Sequence, residues 1–110
     1  MAYDEALADR IRTALAARDV TEKKMFGGIA FLLGGNMCVG VIRDDLIVRT
    51  FPEDGVAYLE EEHVRAFDLT GRTMTGWILV GPGATADDDG LRTWVGRGVA
   101  FAETLPPKQR

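Results

Sequence analysis

Leu7, Ile11, Ala14 and Leu15 fall at the i, i+4, i+7, i+8 spacing of one helical face and predict an amphipathic helix from Asp4 to Arg18. Asp4 is placed to cap its first turn, and the weak helix formers Asp19-Val20-Thr21 mark its end. With one apolar face, this helix is expected to lie on a sheet. The period then changes. Met25 to Leu33, Asn36 to Ile42 and Leu46 to Arg49 are short β-rich runs, separated by Gly34-Gly35 and by Arg43-Asp44-Asp45. They predict an antiparallel meander of three strands. Gly34-Gly35 suits a two-residue hairpin because glycine adopts positive φ without steric penalty. Gly27-Gly28, placed inside the first strand, predicts a bulge or a close backbone approach.

After Phe51-Pro52, residues Glu53 to Glu62 predict a short acidic helix carrying Val56, Tyr58 and Leu59. Arg65 to Leu69 predicts an edge strand, Thr70-Gly71-Arg72 a turn, and Met74 to Val80 a more apolar strand. Gly81-Pro82-Gly83 stops that strand. Several N-cap candidates between Thr85 and Asp89 open a last helix that runs to about Thr104, where Pro106-Pro107 forbids continuation. Its apolar face is Leu91, Trp94, Val95, Gly98, Phe101 or Ala102, and Leu105. Gly96 and Gly98 each cost about 1 kcal/mol relative to alanine in a helix interior, which points to close packing there. The order α-β-β-β-α-β-β-α gives an α+β fold with an antiparallel sheet of about five strands. With no repeat, linker or low-complexity segment, residues 1–110 read as a single domain.

The meander is apolar on both faces. Met37, Val39 and Val41 are expected on one face of the second strand, and Cys38, Gly40 and Ile42 on the other. Ile29, Phe31 and Leu33 likewise oppose Phe26, Ala30 and Leu32. An antiparallel sheet covering one core normally alternates apolar with polar, so both faces are expected to be covered. Either the second hairpin and the helices enclose both faces within one chain, or a second copy covers one of them. The homodimer is the preferred expectation.

Composition narrows the class. A chain of 110 residues with 46% hydrophobic content can build one core without covalent staples. A lone cysteine, Cys38, excludes an internal disulfide, and together with a lone histidine, His63, it excludes a four-ligand Cys/His zinc site within one chain. No cofactor or metal is expected. The N-terminus lacks a signal-peptide pattern, and no run approaches the roughly 18 apolar residues of a membrane span, so a cytoplasmic protein is expected, with no membrane contact. The formal net charge is −4, and the excess acid is local: residues 51–70 hold Glu53, Asp54, Glu60, Glu61, Glu62 and Asp68 against Arg65 alone. Beyond Lys23-Lys24 there is no basic cluster, so direct nucleic-acid binding is not expected.

The catalytic inventory is thin. Cys38 lies in an apolar strand, where cysteine behaves as a small hydrophobe, and His63 follows the acidic helix in a loop. Asp87-Asp88-Asp89 lacks the spacing and terminal glutamate of a calcium loop and fits helix capping. Asp44-Asp45 reads as a hairpin turn. Met25-Phe26-Gly27-Gly28 does not match a phosphate loop, since a strand rather than a helix follows it. Two functional readings stand. One is a non-enzymatic protein-interaction module. The other is a small-ligand binder or enzyme with a pocket between sheet and helices, using Lys24, Arg49, Tyr58 or Trp77. Beside the Met25–Gly28 element, a binding groove in which Lys24 and Arg49 face an anionic ligand or a partner carboxylate is a separate expectation.

Lys24-Met25-Phe26-Gly27-Gly28, then Gly35-Asn36-Met37, Leu46 and Arg49, and downstream Phe67, Gly71, Met74-Thr75-Gly76-Trp77, Leu91 and Trp94-Val95, resemble the N-terminal domain of the TfoX/Sxy family of bacterial competence regulators. The resemblance covers nearly the whole chain. It implies a fold of the type shared with secretion chaperones, and a regulatory role alongside a transcription-factor or other protein partner. Full-length members add a C-terminal helix-rich domain, and this chain ends where that domain would begin. The signature residues carried by the resemblance, as structural or binding positions, are Lys24, Met25, Phe26, Gly27, Gly28, Gly35, Met37, Arg49, Gly76 and Trp77. The resemblance brings no catalytic residue.

Overall fold

The computed structural model describes residues 3–25, 27–68 and 73–107, without the side chains of Asp68, Thr73 and Met74. The elements are α1 (Glu5–Ala14), β1 (Val20–Met25), β2 (Gly28–Leu33), β3 (Asn36–Ile42), β4 (Asp45–Arg49), α2 (Pro52–Tyr58), β5 (Val64–Asp68), β6 (Thr73–Val80), α3 (Pro82–Thr85) and α4 (Asp88–Ala102). The strands form one antiparallel sheet in the order β1-β2-β3-β4-β6-β5.

The α+β class holds, but the sheet has six strands rather than about five. The added strand is β1, most of which falls between the first helix, expected to end at Arg18, and the β-rich run expected from Met25. Its central residues Thr21, Glu22, Lys23 and Lys24 are all exposed, so it carries no apolar period. Charged residues are common on edge strands, where they discourage pairing with other chains. Met25 pairs with Gly28, so Gly27, with φ +77°, belongs to the β1–β2 turn rather than to a strand interior. Phe26 and the expected turn Thr70-Gly71-Arg72 lie outside the described residues.

The hairpin predicted at Gly34-Gly35 is present: Leu33 pairs with Asn36, and the two glycines have φ of +60° and +81°. Positive φ at both central residues matches the right-handed twist of the flanking strands. Asp4 caps the start of α1 at Leu7 N, and the helix ends four residues earlier than expected, at Ala14, where Leu15 leaves helical geometry (φ −101°, ψ 8°) and the chain turns toward β1. α2 is likewise shorter, ending at Tyr58. The start of α4 is fixed by Asp87, whose carboxylate accepts from Gly90 N.

The two faces of the sheet are built differently. α1 and α4 cover one face, burying Leu7, Ile11, Leu91, Trp94, Val95 and Val99 against Ile29, Phe31, Val39, Val41, Leu46, Val48, Ile78 and Val80. The other face buries Ala30, Met37, Ile42, Ile47, Phe67 and Leu79, with Met25, Leu32 and Trp77 partly buried against them. All of these come from strands. The face assignment of β3 is corrected by a β-bulge: Phe31 pairs with Val39 but Leu32 pairs with Met37, which leaves Cys38 as the extra residue. The bulge reverses parity, so Cys38 joins Val39 and Val41 on the helix side while Met37 lies on the opposite face.

Ala30 and Ile47 are 0% exposed within the single chain, and Met37, Ile42 and Leu79 are 6%. The second face is therefore withdrawn from water without a second copy. No helix among the described residues is long and apolar enough to cross a membrane.

Candidate functional site

The signature residues separate into two groups at opposite ends of the sheet. Lys24, Met25, Gly27 and Gly28 surround the β1–β2 turn. Gly28 is a close-approach site, because a Cβ there would lie 2.0 Å from the carbonyl oxygen of Val41. Gly35, Met37, Arg49, Gly76 and Trp77 lie toward the end marked by the β2–β3 hairpin. Pairing runs Lys24 to Ile29 to Val41 to Leu46, so Lys24 is three strand spacings, about 14 Å, from β4 and three residues out of line with Arg49. The expected Lys24–Arg49 anion groove is not formed. Tyr58 is also elsewhere, packed on the helix side against Trp94.

Arg49 and Trp77 do meet. They are register partners across β4 and β6, and the guanidinium carbon lies 5.0 Å from the Trp77 ring centroid. It also lies 5.1 Å from the ring of Phe101, near the end of α4, and Phe101 packs edge-on to Phe51 at 5.0 Å. Gly76 holds this corner together. Thr50 N donates to Gly76 O at 2.7 Å, and Gly76 has φ +86° with only 2.8 Å between a hypothetical Cβ and Thr50 O. A side chain there would be strained by both conformation and contact. Burial pulls the Arg49 guanidinium below the usual arginine range, because a cation that loses water is disfavoured.

The remaining candidate groups fall into structural roles. Cys38 is fully buried, its Sγ donates to Phe31 O at 3.4 Å, and burial pushes the thiol up to about 11. Such a thiol is a poor nucleophile at neutral pH. His63 is exposed at φ +69°, just ahead of β5, which lies three strand spacings from β3; the pair that thiol chemistry would need is about 14 Å apart. Asp87, Asp88 and Asp89 diverge: the first caps α4, the second pairs with Arg10 at 3.1 Å, and the third pairs with Arg92. Asp45 is not a turn residue. It opens β4 with its side chain only 7% exposed and pairs with Arg65 at 2.5 Å.

A family model, the TfoX N-terminal domain, matches residues 13–102. The chain belongs to this family. No curated protein matches it. The TfoX N-terminal domain match begins inside α1 and ends with α4, so it takes in all six strands and the Arg49–Trp77–Phe101 corner.

Phe101, Arg97 and the pair Val56 and Leu59 of this TfoX-type domain take on roles that the sequence pattern does not assign to them. The helical period offers Phe101 only as an alternative to Ala102, and its contact with Arg49 joins positions far apart in the chain. Arg97 lies 4.5 Å from the Tyr58 ring and 4.3 Å from the Trp94 ring, with Glu61 at 3.7 Å. The i, i+3 spacing of Trp94 and Arg97 was a usable signal for that stack. Val56 and Leu59, which the sequence places on the acidic helix, are the large hydrophobic residues left exposed among the described residues, at 61% and 37%.

Proposed function

We propose that this chain is a non-enzymatic regulatory interaction module that binds a protein partner through α2 and the residues that follow it. The observation that carries the reading is the position of Val56 and Leu59. Both project from the segment that also exposes Glu53, Asp54, Glu60, Glu61 and Glu62. Apolar side chains ringed by charge are the usual make-up of a docking surface. Charge complementarity assigns a partner segment with basic residues around an apolar anchor. A shallow apolar recess of about 60 Å³ beside these residues, lined by Ala66, Thr75, Gly76 and Trp77 among others, offers that anchor a seat.

Family membership supports a regulatory role of the competence or transcription kind, and the secretion-chaperone type of fold belongs to the same family-level reading. A homodimer, if formed, would use exposed surface such as α2 rather than the sheet face already buried within one chain. Sedimentation at micromolar concentration reads that state directly. Of the four contacts expected for the alternative, a small-ligand binder or enzyme, Arg49 and Trp77 meet while Lys24 and Tyr58 lie elsewhere.

The test is quantitative affinity purification from the native cell with wild type and with Val56→Glu/Leu59→Glu, alongside a thermal-shift screen of metabolites. The reading expects a partner with a basic contact segment that is retained by wild type and lost by the double variant. Retention by both proteins, or no partner together with a saturable metabolite hit, would overturn it.

A further inference from the structure

Among the described arginines, Arg10, Arg12, Arg18, Arg65, Arg92 and Arg97 each hold a carboxylate of the same chain. Arg43 is exposed in a turn. Arg49 is different: its guanidinium is partly withdrawn from water, flanked by Trp77 and Phe101, and has no carboxylate or hydrogen-bond acceptor among the described residues. The comparison with Arg97 is internal to the molecule. Arg97 also sits over two aromatic rings, and there the chain supplies Glu61 as counter-ion. At Arg49 the aromatic half of the same arrangement is present and no described side chain supplies the carboxylate.

We propose that Arg49, framed by Trp77 and Phe101, is a receptor for one carboxylate supplied from outside the chain. The charge supports a single monoanionic group, since Lys24 is three strand spacings, about 14 Å, from β4 and a further three residues out of line with Arg49. The shape supports a carboxylate, because a guanidinium packed against rings presents its in-plane N–H fork, which matches two carboxylate oxygens. The rings favour a carboxylate borne on an apolar stem. A peptide C-terminus and a glutamate side chain share that chemistry. The inference does not depend on the α2 docking reading, because it is tested with small probes on the isolated protein.

The two tryptophans give the experiment its control. Nitrogen-15-labelled protein would be titrated with acetyl-Ala-Ala-Leu, with its C-terminal amide, with acetyl-Ala-Glu-Ala-amide and with inorganic phosphate, while the indole N–H signals of Trp77 and Trp94 and the Nε–H signals of Arg49 and Arg97 are followed. The proposal expects saturable movement of Trp77 and Arg49 by one or both carboxylate probes, with a dissociation constant on the order of 1–10 mM, and still signals for Trp94 and Arg97. Which carboxylate probe binds identifies the source. Arg49→Met should abolish the response, and Arg49→Lys should weaken it roughly tenfold, since the ammonium lacks the fork. Equal response to the amide, tighter binding of phosphate, or no movement of Trp77 would overturn the proposal. Those three outcomes are read on wild type and do not require either variant to fold.

Discussion

Gly98 of α4 lies directly against the bulge residue Cys38 of β3: a Cβ on Gly98 would stand 2.4 Å from the Cys38 carbonyl oxygen and 2.8 Å from a methyl of Val39. The oxygen is backbone and cannot move aside alone, so Gly98→Ala must push helix and sheet apart. Overpacking of this kind costs about 1–3 kcal/mol, against a gain of about 1 kcal/mol in helix propensity. Gly96, two residues away, meets nothing within 4 Å. Gly96→Ala should therefore stabilise by up to about 1 kcal/mol, while Gly98→Ala destabilises. Urea unfolding of the two variants, side by side, reads the opposite signs, and equal effects would show that α4 does not rest on the bulge.

Cys38 also ties stability to alkaline pH. Its thiol is raised from 9.0 to about 11 by burial, so between those values the unfolded chain releases a proton that the folded chain keeps. The contribution is full below pH 9 and falls as pH rises toward 11, by about 1.4 kcal/mol per unit at most. Cys38→Ala removes that slope whatever it does to stability at neutral pH. The expected result is a smaller loss of unfolding free energy for the alanine variant than for wild type between about pH 8 and pH 10.5. Identical losses would show that the thiol is not buried.

At the acid limb the responsible pair is Arg12 and Glu22. Arg12 Nε and Nη2 donate to the two Glu22 oxygens at 2.7 and 2.9 Å, and this hydrogen bonding holds the Glu22 carboxyl below its ordinary 4.5. A depressed carboxylate stabilises the fold above its unfolded value and loses that contribution as pH falls through the folded one. Both side chains are 39% exposed, so the pair is worth about 0.5–1 kcal/mol after screening. Glu22→Gln should show that deficit at pH 7 and converge with wild type in acid. Added salt should shrink the deficit.

Much of the fold was legible because its apolar periods are long. α1, β3, β6 and α4 each carry a face that only one element type can bury, and Gly34-Gly35 announces its turn chemically. β1 was not legible, because an edge strand that protects itself with Glu22, Lys23 and Lys24 erases the alternation that would reveal it. Met37 was assigned to the wrong face because one bulge residue inverts everything before it, and period-2 reasoning has no means of sensing an insertion. At the candidate site, the Arg49–Trp77 contact joins two residues that were each singled out, but their pairing depends on β4 neighbouring β6, a sheet order that the local pattern does not contain. Phe101 comes from a third element, and that no described carboxylate meets Arg49 becomes visible only when Arg10, Arg12, Arg18, Arg65, Arg92 and Arg97 have each been placed against theirs.

α2 rests on β6 through Gly55, and Tyr58 ties it to α4. Within that helix only Gly55 is buried, while Tyr58 packs edge-on to Trp94 at 5.2 Å and under Arg97, whose guanidinium also reaches Glu61. Tyr58→Ala removes the aromatic pair and leaves Arg97 stacked on one ring, which should cost about 2–3 kcal/mol given that Tyr58 is only partly buried. The loss should be local. Hydrogen exchange at residues 55–61 should accelerate strongly, while amides of β3 and β4 keep protection close to the global limit. Tyr58→Phe keeps the ring and should leave exchange near wild type. If α2 presents Val56 and Leu59 to a partner, Tyr58→Ala should also weaken capture of that partner without touching either contact residue, because the surface must be ordered before it can bind. Unchanged exchange in Tyr58→Ala would mean that Gly55 and its contact with Gly76 anchor the helix instead.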